Sequence, residues 1–466
     1  MTRPGELAIV LHTHMPYVEG FGTWPFGEEW LWEAVATSYL PLLKVLDAHG
    51  SEATRTQLTL SLTPVLCDQL EAPGAMERCV EFLRTVRPAS HELDIVTFRA
   101  SGEAGAVAAL ELSAAQYDDA ASALWSLSLS ESGLLGALGQ HASWTSSASH
   151  AILPLLALRD SLDLQLQTGI RAHSRRFGDW GGGFWLPECA HAPWLNPILS
   201  ESGVRLTCLE LTGQLGVGDI RHLTPLQPDD GPALLSIDRL VIDLVWGAHG
   251  YPSRAAYRDH PRRTPHDHHV WANDGTVYDS GRARAQAQAD GAEFIEAVKV
   301  RVAGGGLCVC AFDTELLGHW WYEGPLWLEA VLDQAAIRGL TLTTLDEATL
   351  ERHLPAPLAP AQPEFTTSWG EGGDLRTWSA PPVADLVWQA RGAELGTFLG
   401  TDAGPGARAL RELLALQSSD WAFLAYREWS GDYPRQRASG HAAGLARALR
   451  GESDEPALRN LAPDLD

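Results

Sequence analysis

The residues of this 466-residue chain that could do chemistry stand at the ends of apolar runs. Glu188 lies in GFWLPECA (183–190), a single carboxylate in apolar company beside Pro187. A buried carboxylate without a partner is costly, so such a residue is paired, protonated or functional. The plainer reading is a surface residue at a strand end, with Pro187 stopping the strand. Asp313 and Glu315 close LCVCAFDTE (307–315), and His12 and His14 close LAIVLHTH (7–14). Residues two apart on a strand face the same way, which pairs His12 with His14 and Asp313 with Glu315. Two chemistries fit. Glu188 and Asp313 at two strand ends could flank a glycosidic bond as nucleophile and acid/base, about 5 to 5.5 Å apart for a retaining reaction. Alternatively, His12, His14 and Asp313 could hold a divalent ion, as in a metal-dependent, deacetylase-like hydrolase. Cys189 is a third nucleophile candidate, but no base neighbours it and it reads as a core cysteine.

Positioning these groups requires a scaffold. Apolar, β-rich runs recur at 7–14, 57–66, 205–213, 239–247, 307–315 and 340–348, separated by helical segments. That alternation predicts an α/β fold, a parallel sheet covered by helices, and the number of units favours a closed or nearly closed barrel. In β/α barrels the C-terminal strand ends carry the active site, where these candidates fall. The strand signal stops after Cys67, and residues 68–140 read as an inserted helical subdomain. PAPLAPAQP (355–363) is a Pro-rich linker. The expected organisation is therefore a barrel domain over 1–354 carrying the insertion, the linker, and a helical domain over 364–466.

Composition narrows the partners. A formal charge of −25 disfavours nucleic acid and anionic membranes, which bind through clustered Lys and Arg. No stretch of about twenty apolar residues could span a bilayer. The N-terminal apolar run is short and interrupted by His12 and His14, unlike a signal peptide. Six cysteines without a CxxC pair read as reduced core residues of a cytoplasmic protein. Eighteen tryptophans are unusual, and Trp24, Trp30, Trp180, Trp271, Trp320, Trp321, Trp369 and Trp378 lie in polar, Gly-rich surroundings that suit ligand platforms.

Seven motifs in order carry a resemblance: LHTHMPYV (11–18), WPFGEEWLWEA (24–34), SHAILPLL (149–156), GFWLPECA, AFDTELLGHWWYEG (311–324), SWGEGGD (368–374) and ELLALQSSDWAFL (412–424). Together they resemble glycoside hydrolase family 57, and within it the glycogen branching enzymes. The resemblance implies a (β/α)7 barrel with an inserted helical subdomain and a C-terminal α-helical domain completing the cleft. It assigns Glu188 as nucleophile and Asp313 as general acid/base, with no cofactor or metal. A glycosyl-enzyme on Glu188 would be attacked by the 6-hydroxyl of a second α-glucan chain, giving an α-1,6 branch. His12, His14, His150 and His319 would contact sugar hydroxyls, and Trp30, Trp271, Trp369 and Trp378 would stack on glucose rings. Asp420 would be the C-terminal domain's polar contact, and Tyr251 a mobile loop tyrosine over the cleft.

Each binding residue has a structural alternative: core histidines, core tryptophans, a helix cap at Asp420 and an ordinary turn at Tyr251. The same machinery would also serve α-amylase-like hydrolysis or 4-α-glucanotransfer. A non-catalytic glucan-binding protein is disfavoured because both carboxylates are present. The chain departs from the family's usual pattern at Ala190 and His191 and at Leu317 and Leu375. Its segment from Tyr251 to Tyr278 is short for a branching enzyme, and a shortened cover would admit water. Oligomeric state is left open, a monomer included.

Overall fold

Seven parallel strands carry the site in a computed structural model, which describes residues 4–23, 25–50, 57–130, 132–358, 366–400, 404–452 and 460–465. In chain order they are β1 (Glu6–Thr13), β2 (Thr59–Leu62), β3 (Ala142–Ser146), β4 (Phe184–Trp185), β5 (Leu206–Leu209), β6 (Ala233–Ser236) and β7 (Leu307–Asp313). β1 pairs with β2 and β7, β2 with β3, β3 with β4, and β5 with β6, all parallel. Two isolated parallel bridges, Gly183 to Leu206 and Ile237 to Val309, join the two sheets. The strands thus follow one another around a closed ring, as the (β/α)7 expectation requires.

β1 and β7 are the spine. Leu7 to Leu11 are fully buried, as are Cys308, Cys310 and Phe312, because barrel strands are covered on one face by helices and on the other by the packed interior. Their register sets His12 opposite Asp313 on one side and opposite Ser61 of β2 on the other. Helices Ser280–Arg301 and Gly324–Arg338 cover this side, and Gly291 allows them to close up: a Cβ there would lie 2.8 Å from Ala330 Cβ.

Between β2 and β3 the described chain is helical. Ala75–Glu81 runs through a π turn into Arg87–Ala100, which packs on Ala104–Ser128. The segment following Tyr251 docks on this pair, where buried Asp94 accepts hydrogen bonds from Thr264 and from His266 Nδ1. Residues 359–365, which include the end of the expected linker, lie outside the described residues. Helices Ala384–Leu399, Ala407–Leu416, Ser419–Arg427 and Tyr433–Leu449 follow.

Two expected strands are corrected. RLVIDLVWG (239–247) forms helix Arg239–Trp246, whose N-terminus is capped by the Asp238 carboxylate accepting from Leu240 N. Val241, Ile242 and Val245, all buried, have the spacing of one helical face, and the true strand is the preceding ALLS. LTLTTLDEA (340–348) supplies only the two-residue strand Thr341–Leu342 before helix Glu347–Arg352, which Asp346 caps by accepting from Thr349 N at 2.9 Å. Asp346→Ala is expected to lower stability by about 1 kcal/mol, read as a shifted midpoint in chemical denaturation.

Candidate active site

At the C-terminal edge of β1 the two strand histidines meet a third from the loop after β3. His14 and His150 stack with ring centroids 3.9 Å apart, and His12 Nε2 lies 2.9 Å from His150 Nε2. The outer nitrogens are tied down as well: His12 Nδ1 to Ser61 Oγ at 3.3 Å, His150 Nδ1 to Ser419 Oγ at 2.8 Å, and His14 Nε2 to Asp420 Oδ1 at 3.0 Å. Burial, and then the neighbouring imidazoles, holds His12 and His150 well below the ordinary histidine value. They are neutral rings whose proton positions follow from the chain Ser61–His12–His150–Ser419. With their nitrogens so engaged, His12 and His14 are not arranged as ligands beside Asp313. Among the described residues no group of three or more His, Cys, Asp or Glu side chains forms a metal-binding set.

Glu188 follows β4 in a single turn, Pro187–Cys189, with a left-handed backbone at φ 60°. Cys189 (φ 51°) and His150 (φ 60°) share that uncommon conformation. Three such residues together mark a place where geometry is imposed at a local energetic cost. Trp369 fixes Glu188 twice: its backbone N donates to the Glu188 carbonyl at 2.9 Å, and its indole Nε1 donates to Oε2 at 2.6 Å. The segment bearing Trp369 is held in turn by His191, which exchanges both backbone hydrogen bonds with Thr367 and whose Nε2 meets Asn196 Oδ1 at 2.7 Å. His191 thus acts as a clamp behind the carboxylate. Cys189 is buried, and burial pushes its thiol well up, so it stays a neutral thiol.

Asp313 ends β7, with Glu315 in the turn just after it. Tyr39 Oη donates to Glu315 Oε1 at 2.6 Å, and His14 N donates to the same oxygen at 3.1 Å. Loss of water pushes all three carboxylates up: Glu188 to about 8, with Asp313 adding repulsion; Asp313 to about 7, with Glu315 adding repulsion; and Glu315 to about 8. The repulsion between Glu188 and Asp313 ties their titrations together, so the two do not ionise independently. The hydrogen bond from Trp369 favours the anion on Glu188, while the neighbouring Glu315 charge favours the proton on Asp313. Both biases run toward a nucleophile at Glu188 and an acid at Asp313, against a desolvation that leaves Glu188 the higher of the two.

Above them opens a cleft of about 2050 Å³ lined by Glu188, Asp313, His12, His14, His150, His319, Trp30, Trp369, Trp378 and Asp420. It exceeds ordinary small-molecule pockets, roughly 300 to 1,000 Å³, and suits a polymer. Asp420 reaches it from the first turn of helix Ser419–Arg427, where Ser418, not Asp420, is the cap. Burial lowers His319 to about 4, so it too is neutral. Trp378 is otherwise buried, its ring covered by the backbone at Gly370, where a Cβ would come within 2.7 Å of it.

Two expected contacts are corrected. Tyr251 is 1% exposed, packed in the barrel core against Trp327 with Arg254 over its ring, and it does not line the cleft. Trp271 packs edge-on against Phe98 with Arg262 over it at 3.9 Å, also away from the cleft lining. Both are large side chains whose apolar faces found neighbours in the fold instead of remaining open. Trp24 lies outside the described residues. Sequence reasoning named Glu315 as a candidate without giving it a role, and it left Ser419 and Tyr39 out of the site. Its placement two residues after Asp313 was a signal for Glu315, whereas nothing local marks Ser419 or Tyr39.

A parallel strand ring with paired, desolvated carboxylates at its C-terminal edge, under a polymer-sized aromatic cleft, defines an enzyme of the glycoside-cleaving class. The chain belongs to glycosyl hydrolase family 57, whose model matches residues 134–356. It is 32% identical to a probable 1,4-alpha-glucan branching enzyme of Mycobacterium tuberculosis, over 94% of this chain and 90% of that protein. Its fold matches the GH57-type branching enzyme of Pyrococcus horikoshii with TM-score 0.85 and 28% identity, covering 97% and 92% of the two chains. It matches the GH57 branching enzyme of Thermococcus kodakaraensis, solved in complex with glucose, with TM-score 0.86 and 25% identity, covering 99% and 96%.

Proposed function

We propose that this chain is a retaining 1,4-α-glucan branching enzyme. The observation that carries the reading is the desolvated carboxylate pair at the barrel mouth, Glu188 fixed by the Trp369 indole and Asp313 beside Glu315. Glu188 attacks the anomeric carbon of an α-1,4-linked unit while Asp313 protonates the departing oxygen. Asp313, now a base, takes the proton from the 6-hydroxyl of an acceptor chain, which displaces Glu188 and leaves an α-1,6 branch. The imidazoles of His12, His14 and His150 line the cleft beside the carboxylates, where they would meet sugar hydroxyls. Trp30 and Trp369 supply apolar ring faces, while Trp378 is buried.

We read residues 1–354 as the catalytic barrel, 68–140 as its helical insertion, 355–363 as a linker and 364–466 as the domain completing the cleft. Support comes from Trp369, Ser419 and Asp420, which reach Glu188 and the histidines from beyond the linker. An α-glucan is the partner this cleft fits. All six cysteines are free and buried, which supports a reducing, cytoplasmic setting. No helix among the described residues is long and apolar enough to cross a membrane.

A hydrolytic second reading has its own observation: Tyr251 lies in the core and does not cover the cleft. Incubation with amylose, followed by debranching and chain-length analysis beside a reducing-end assay, separates the two. Branching predicts new α-1,6 linkages with few new reducing ends. Rising reducing ends without branches would replace it with hydrolysis.

A further inference from the structure

The same cleft carries an aromatic pair that the mechanism does not use. Trp320 comes from the barrel, seven residues after Asp313, and its backbone N is tied to the catalytic turn by donating to Glu315 O at 3.1 Å. Trp429 comes from the other side, just past helix Ser419–Arg427, where Glu428 takes a left-handed backbone at φ 56°. Their ring centroids lie 6.1 Å apart, inclined at 41°. Both line the cleft, and both remain open, Trp320 at 40% and Trp429 at 57% exposure. Each is nevertheless held in place. Phe423 meets Trp429 edge-on at 5.8 Å, Arg427 stands over both rings, and His260 and His319 buttress Trp320 at 5.1 and 5.5 Å.

Exposed indoles immobilised by their neighbours are poor candidates for mere surface residues, because each leaves a large apolar face in water. The position of this pair inside the cleft wall, not on a convex face, selects a ligand that already runs through the cleft. Helix Ser419–Arg427 begins at the His14 partner Asp420 and ends next to Trp429, a rise of roughly 13 Å. That helix sets Trp429 apart from the Asp420 that bonds His14.

We propose that Trp320 and Trp429 form a distal subsite that stacks on a glucosyl unit of a bound α-glucan chain, several units from the scissile bond. This rests on the α-glucan reading above and adds to it a length requirement: short chains occupy the catalytic centre alone, and long chains also reach the platform. The barrel and the C-terminal helices each contribute one wall, so the subsite exists only when the two are docked.

The test uses the full-length chain with Glu188→Gln, so that binding is measured without turnover, and titrates it with short and with long linear maltooligosaccharides by calorimetry. The Glu188→Gln protein should bind the long chains more tightly. Adding Trp429→Ala should weaken long-chain binding about fivefold and leave short-chain binding within twofold, with Trp429→Phe restoring most of the loss. Trp388→Ala, an exposed tryptophan outside the cleft lining, is the control and should change neither. Equal loss for short and long chains, or no loss, overturns the distal subsite while leaving the α-glucan reading standing. If the Glu188→Gln protein binds neither length, the α-glucan reading itself fails, and the subsite with it.

Discussion

Glu188→Gln and Asp313→Asn are each expected to lower turnover on α-glucan by about 10⁴-fold or more, measured as total linkage rearrangement on amylose. Both substitutions keep size and shape, so the loss reports chemistry and not collapse of the site. In Glu188→Gln the amide oxygen can still accept from Trp369, and the segment 366–369 keeps its backbone bonds to His191 and Glu188. What disappears is the attacking carboxylate. Glu188→Ala goes further by opening space next to the anomeric carbon, and added azide should restore turnover there by forming a glycosyl azide. Asp313→Asn should show no azide response of that kind, because its nucleophile is intact and the missing function is proton transfer. The informative failure concerns Glu315, the carboxylate nearest in sequence and charge to Asp313. Appreciable turnover in Asp313→Asn, with turnover lost in Glu315→Gln, would transfer the acid/base role to Glu315.

The parts of the molecule that could be read from the sequence are those whose signals are local. β1 and β7 announce themselves because strands buried on both faces need unbroken apolar runs, and the histidines and carboxylates at their ends stand out against that background. β3 and β6 gave no such run. β3, ASWTS, is largely polar, and its side chains are satisfied by distant carbonyls, Thr145 by Gly169 and Ser146 by Trp185. A periodicity reading has no access to partners of that kind. Helix Arg239–Trp246 was mistaken for a strand because eight residues rich in Val, Ile and Leu fit either period, and the deciding feature is the Asp238 cap just before it.

The site shows the same division. Glu188 was legible as one charge in an apolar motif. Its indole donor is 181 residues away, and the Tyr39 partner of Glu315 is 276 residues away. Tyr251 and Trp271 failed for the converse reason: a motif or composition can suggest an aromatic contact, but only the packing decides whether the ring faces the ligand or the core.

Trp369→Phe isolates the feature that polarises the carboxylate pair. Phenylalanine keeps most of the apolar face and loses the indole N–H, so Glu188 loses a hydrogen bond to its charged form. Bonds of this type are worth about 1.5 to 3 kcal/mol, which corresponds to a fall of roughly 10- to 100-fold in kcat/KM. The pH dependence gives the more specific signature. A donor to the anion lowers the pKa of Glu188, opposing the desolvation that pushes it to about 8, so removing the donor raises it. One limb of kcat/KM reports the ionisation of Glu188, the event that makes it nucleophilic. That limb should therefore move to higher pH in Trp369→Phe. The limb set by Asp313 should move much less, because Trp369 does not bond to that side chain. If Trp369 served only as a stacking surface for sugar, the variant would raise KM and leave both limbs in place. Two unshifted limbs would therefore remove the indole from the account of how the ionisation of Glu188 is tuned.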